Sequence, residues 1–177
     1  YEYDDHLDLH RVDRRQRQMC KRDRVGHNGI KVRTMAEVLA EGIAAGSLDL
    51  GTGEGVVTYQ DPCRLSKGAG IVEQPRAVLR SLGELRDMPR SGPMSVCCGT
   101  SGWADCDHTA KRVQVERLQE AAATGADVLV TACPKCLVHL SCADRHHASE
   151  LSSRVRIEDM CVRTARRLDR ERSSPND

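Results

Sequence analysis

Five of the nine cysteines in this 177-residue chain fall in one sparse pattern. Cys63 is followed by 33 residues, then Cys97-Cys98-Gly99, then another 33 residues, then Cys133-Pro134-Lys135-Cys136. Each group comes just after a short stretch that reads as a β-strand. Val56-Val57-Thr58-Tyr59 precedes Asp61-Pro62-Cys63, Met94-Ser95-Val96 precedes Cys97, and the β-branched run Asp127-Val128-Leu129-Val130-Thr131 precedes Cys133. A fold that carries this pattern must turn three distant strand ends into one place.

Between these stretches the sequence reads as helix. Thr34 with Glu37 forms a capping box for Met35 to Gly46, after an expected short strand at Ile30-Lys31-Val32. Pro75 stands in the first turn of a helix ending near Leu82-Gly83, and residues 84–90 read as extended. A helix spans Asp107 to Ala123 with Gly125 as its stop, and Pro134 opens another through about Cys142. Val155-Arg156-Ile157, then Asp159 and Met160, repeats the strand-then-capped-helix pattern. Alternation through short loops predicts an α/β, Rossmann-like fold, with a mostly parallel sheet and helices on both faces. In such sheets ligands gather outside the carboxyl ends of the strands, so the cysteines should collect there. Helix N-termini converge on the same rim and favour thiolates. The glycines of Gly51-Thr52-Gly53-Glu54-Gly55 precede their strand, which is the wrong side for a nucleotide fingerprint.

The domain reading is an irregular leader or edge of an upstream domain at 1–24, a cysteine-rich domain at 25–168 and a disordered tail at 169–177. With no Phe, one Trp and three Tyr the core must be aliphatic. Net charge is +1 and acidic residues are interspersed among the 27 basic ones, which removes the electrostatic case for nucleic acid. No run of roughly 18 apolar residues is present, and no signal peptide is visible. The chain begins with Tyr, which reads as a fragment or a processed piece.

Cysteine usage points to a reducing, cytoplasmic compartment, because the number is odd and the spacings are metal-like. The adjacent pair cannot serve two ordinary disulfides without crowding, and a vicinal disulfide would be strained. Thiolates gathered from three strand ends suit an iron–sulfur cluster. Zinc remains the alternative, with four thiolates in a tetrahedron, as does a thioredoxin-like dithiol at Cys133–Cys136. Cys106, Cys142, His139 and Trp103 are candidate neighbours of the site. Cys20 and Cys161 read as structural cysteines away from the strand ends.

The string DPC…CCG…CPKC resembles the repeated cysteine-rich CCG domain of the heterodisulfide reductase family, over about residues 30–165. The family includes glycolate oxidase iron–sulfur subunits. The resemblance implies a non-cubane 4Fe–4S cluster, or zinc, held by Cys63, Cys97, Cys98, Cys133 and Cys136. It also implies an electron-transfer role that relays electrons or reduces a disulfide, or else a zinc-stabilised docking domain of a redox complex. Implied partners are redox subunits with ferredoxin-type clusters or flavin and a membrane-bound quinone-linked subunit, which would hold the domain peripherally on the cytoplasmic membrane. Unlike most members, this chain has one CCG copy and no ferredoxin-type cysteine run.

Overall fold

The computed structural model describes residues 32–99 and 107–173. The compact unit begins at Met35. The strand expected at Ile30-Lys31-Val32 falls, apart from Val32, outside the described residues, as do Cys20, Trp103 and Cys106.

Helix α1 (Met35–Ala44) starts directly after Thr34 and buries Ala36, with Leu39, Ala40 and Ile43 packed at helical spacing on the same side. Strand β1 (Val56–Gln60) leads through Asp61-Pro62 into a π-turn at Arg64–Gly68. Helix α2 (Glu73–Leu82) and the two-residue strand β2 (Glu84–Leu85) follow. A 3₁₀ turn at Gly92–Met94 comes before helix α3 (His108–Ala123), which is capped by the Asp107 carboxylate accepting from the Ala110 amide at 2.7 Å. Then come β3 (Val128–Thr131), α4 (Pro134–His146), a 3₁₀ turn at Ala148–Glu150, β4 (Arg156–Asp159) and α5 (Met160–Ser173). Helix α5 is therefore continuous through residues 169–173, where the sequence suggests a disordered tail.

All four strands run parallel in the order β2-β1-β3-β4. Alternating side chains of the central strands serve two cores. Val57, Tyr59, Val128 and Val130 face α1, α2 and Met160 of α5, whereas Leu129 faces Leu118 and Ala121 of α3 and Leu140 and Ala143 of α4. Helices thus cover both faces, as the continuous apolar strands require. The expected α/β Rossmann-like arrangement is present.

The strand order fixes where a ligand can sit. From β1 the chain leaves through α2 on one face toward β2; from β3 it leaves through α4 on the other face toward β4. Neighbouring strands whose connections depart in opposite directions leave a crevice between their carboxyl ends. That switch point lies between β1 and β3, where Gln60 is registered with Thr131 and the Thr131 hydroxyl donates to the Gln60 carbonyl at 3.2 Å.

One expected strand is absent. Met94-Ser95-Val96 is not extended sheet: Met94 closes the 3₁₀ turn, and Ser95 to Gly99 are irregular. Both neighbours of β1 are already taken by β2 and β3, and Pro93 has no amide to give a ladder. The segment instead crosses the rim of the sheet. Cys97 and Cys98 therefore do not follow a strand, which corrects the sequence reading.

Candidate metal centre

Cys133 follows β3 and is the N-cap of α4, with Pro134 in the first turn. Cys136, one turn on, is buried and packs in the second core with buried Cys98 and half-buried Cys97 and Cys133. The Cys136 thiol is hydrogen-bonded to both Cys133 and Cys98, and with burial these contacts push its proton affinity far up. The Cys133 thiol moves the other way, to about 6. Its hydrogen bond from Cys136 is the main cause, working with the Cys136 and Lys135 amides against desolvation and the Cys98 charge. The side chain forms no capping hydrogen bond, so those amides act on the sulfur as a favourable field. Cys133 is thus the sulfur of the pair that loses its proton more readily, and it is gathered with Cys136 and Cys98.

The arm carrying Cys97 and Cys98 is tied down although it is not a strand. The Gly92 amide donates to Asp61 Oδ2 at 2.8 Å, Gln60 Nε2 donates to the Val96 carbonyl at 3.2 Å, and the Ser66 and Ser95 hydroxyls meet at 3.4 Å. Asp61 is 1 % exposed and accepts both Arg76 Nη1 (2.8 Å) and Nη2 (2.9 Å), while Arg76 also grips Asp87. A second network lies on the other face. Buried Arg117 donates to Gln60 Oε1 at 2.5 Å and to Glu120, and Glu120 holds the Arg90 amide and guanidinium. Both networks fix the 86–96 segment against the end of β1.

Gly99, the last residue of CCG, has φ +82°, and a Cβ there would lie 2.6 Å from the Ala110 carbonyl oxygen of α3. Only glycine allows the cysteine pair to approach this helix so closely.

Cys63 is placed differently. It follows β1 at the N-cap of the π-turn but is exposed, and none of the described hydrogen bonds joins it to the other four. The structure thus gathers Cys98, Cys133 and Cys136, packs Cys97 beside them, and leaves Cys63 at the adjacent strand end. Among the described residues no three His, Cys, Asp or Glu side chains close on a single ion. Of the other candidates, Cys142 receives a hydrogen bond from Lys111 Nζ at 3.1 Å, and His139 is half-buried. Cys161 is exposed in the first turn of α5, two residues past β4, and its amide bonds Asp159 at 2.8 Å. It thus stands next to a strand end after all, though at the outer strand of the sheet.

Sequence reasoning missed Gln60, Arg76 and Arg117. The last was findable: Ala110, Gln114, Arg117, Leu118 and Ala121 share one buried helix face, and a guanidinium on such a face needs polar partners.

Parallel α/β folds receive their ligands at the switch point between strand ends, and here the gathered thiols stand after β3 at that point. Residues 57–141, just under half of the chain, match the family described as "CCG: Cysteine-rich domain". The chain is 42% identical over 102 residues to a probable membrane-anchored ferredoxin of Chromohalobacter salexigens, covering 55% of this chain and 15% of that protein. To a dihydromethanophenazine:CoB–CoM heterodisulfide reductase component of Methanosarcina acetivorans it is 34% identical over 116 residues, 63% of this chain and 27% of the relative. To an EtfAB:quinone oxidoreductase of Syntrophomonas wolfei it is 29% identical over 135 residues, 70% and 19% respectively. The chain thus spans about a quarter or less of the length of these curated relatives. No solved structure matches it. Among the described residues no helix is long and apolar enough to cross a membrane.

Proposed function

We propose that the chain is the cluster-binding domain of an iron–sulfur oxidoreductase, and that Cys63, Cys97, Cys98, Cys133 and Cys136 hold a non-cubane 4Fe–4S cluster. The observation that carries this reading is the packing of Cys98, Cys133 and Cys136 together, with Cys97 against them and Cys63 at the adjacent strand end. The donor set fits the group: soft thiolates suit iron–sulfur clusters, and five exceed what a single tetrahedral ion needs. When bound, such a cluster supplies one-electron transfer and an iron site open to a thiolate.

The protein's own part is binding and orientation. Cys133 offers a sulfur whose proton affinity is lowered, held at the start of α4, where the helix dipole favours negative charge. Asp61–Arg76 and Gln60–Arg117 keep the Cys97–Cys98 arm against the rim, so its sulfurs need little reorganisation. Cys63 supplies the solvent-side thiolate. In this reading the domain receives electrons from partner subunits bearing ferredoxin-type clusters or flavin. It then relays them or reduces a disulfide substrate, in the cytoplasm or held at the membrane by a quinone-linked partner.

The test is anaerobic purification with analysis for iron, acid-labile sulfide and zinc. About four irons and four sulfides per chain are expected. One zinc without sulfide would contradict the proposal and make the domain a zinc-stabilised docking unit.

A further inference from the structure

Strand β4 (Arg156–Asp159) ends the sheet, and among the described residues it pairs only with β3. Its backbone phase is fixed by the Arg156 amide, which donates to the Asp127 carbonyl at 3.1 Å. Peptide groups alternate in direction along a strand. Arg156 and Glu158 therefore bond β3, while the Ile157 amide and carbonyl point out of the sheet. That edge opens on a groove of about 530 Å³, walled by Leu137 and Ser141 of α4 and by Val162 and Arg166 of α5. An open strand edge is a template for another strand.

The side chains decide which strand fits. Ile157 packs against the core of α3 and α4, whereas Glu158 faces α5 and accepts Arg163 at 3.0 Å and Arg166 at 3.5 Å. Arg156 shares the Glu158 side of the strand, is 71 % exposed and lies 3.9 Å from that carboxylate. Reading Arg156-Ile157-Glu158 backwards exchanges the charges and keeps the isoleucine in the middle. A second β4 laid antiparallel therefore sets Ile157 opposite Ile157 and each Arg156 opposite a Glu158. A slip of two residues would oppose Arg156 to Arg156 or Glu158 to Glu158. A slip of one is blocked, because the Arg156 and Glu158 amides belong to β3. The groove lining carries three carboxylates (Asp144, Glu158, Asp159) and three guanidinia (Arg145, Arg156, Arg166), so two copies meet there without net repulsion.

We propose that the chain forms a two-fold dimer by antiparallel pairing of β4 edges, joining two four-stranded sheets into one. Each Ile157 amide donates to the carbonyl of the partner's Ile157, and two Arg156–Glu158 ion pairs flank this centre. The pairing is independent of any cluster at the β1–β3 crevice.

Sedimentation of the full chain over about a hundredfold range of concentration tests this. Reducing, anaerobic buffer keeps the exposed Cys63 and Cys161 from cross-linking copies. A reversible monomer–dimer equilibrium is expected. Arg156→Glu puts like charges opposite each other twice and should weaken it about tenfold. Ile157→Pro removes an outward amide and no bond to β3, so the chain should keep its circular dichroism spectrum and become monomeric. If that variant does not fold, Arg156→Glu, at an exposed position, decides the matter. Glu84→Arg is the control: it lies on β2 at the other end of the sheet, is exposed, and should leave association unchanged. A chain that stays monomeric at every concentration overturns the proposal. So does a dimer that survives Arg156→Glu or a folded Ile157→Pro, or one that Glu84→Arg weakens equally.

Discussion

Strands β1 and β3 lie side by side in register and each ends next to a cysteine and a proline, but their sulfurs have opposite surroundings. After β3 the order is Cys133-Pro134. The proline opens a regular helix, Cys133 becomes its N-cap, and Cys136 is carried inward to Cys98. After β1 the order is Pro62-Cys63. Here the Pro62 carbonyl accepts the Leu65 and Ser66 amides in a π-turn, and Cys63 is left exposed. Reversing two residues exchanges a sulfur packed among others for one at the solvent edge. In the proposed reading the buried arm is organised before a cluster binds, and the exposed arm closes on it.

The largest effect that could break this comparison is on cluster content. Cys98→Ser and Cys136→Ser should each reduce bound iron and sulfide at least tenfold. Cys63→Ser should lower them less, because the buried sulfurs stay assembled, and Cys161→Ser should change nothing. Equal loss in all four would contradict the distinction between arms.

Next in size is the clamp beneath β1. Arg76→Met strands buried Asp61 without its guanidinium, and removing one partner of a buried pair costs about 3–5 kcal/mol. Urea denaturation reads this directly; a loss below about 1 kcal/mol, the range of an exposed pair, would show that Asp61 finds another partner.

Much of the architecture is legible in the chain. The apolar run at Val128–Thr131 and the Gly125 stop after α3 announce β3 and the end of α3 because local preference and burial agree there. Met94-Ser95-Val96 misleads for the opposite reason: three residues with strand-like character lie where the sheet has no vacant edge, and only topology reveals that. Cys161 misleads because the short β4 directly abuts α5, so a residue early in the helix is also near a strand end. The cysteine set reads as one group from spacing, but spacing carries no information on which sulfurs are buried. That depends on the turn after each strand.

A smaller effect concerns Gly99. Gly99→Ala should destabilise by about 1–3 kcal/mol, combining a left-handed backbone with a clash on α3, and should lower iron content less than Cys98→Ser does. Thermal denaturation with iron analysis separates the two readouts.

The smallest effect is a pH response on the opposite face. Burial pushes the Glu120 carboxyl up, but hydrogen bonds from the Arg90 amide and the Arg90 and Arg117 side chains outweigh it and hold it below its usual 4.5. A lowered carboxyl stabilises fully above the ordinary range and loses that contribution as pH falls through the folded value. Stability should therefore fall on acidification below about pH 4.5, less steeply in Glu120→Gln. Identical acid profiles for the two would remove Glu120 from the clamp.

The central claim is that distant cysteines close on iron at the β1–β3 crevice. Iron-edge anomalous diffraction from crystals of the anaerobically reconstituted chain tests it most directly. The expected result is one compact group of iron peaks bonded to Cys97, Cys98, Cys133 and Cys136, with Cys63 drawn in from the solvent side. Iron bound elsewhere, or Cys63 still facing solvent beside a complete cluster, would contradict the five-cysteine account.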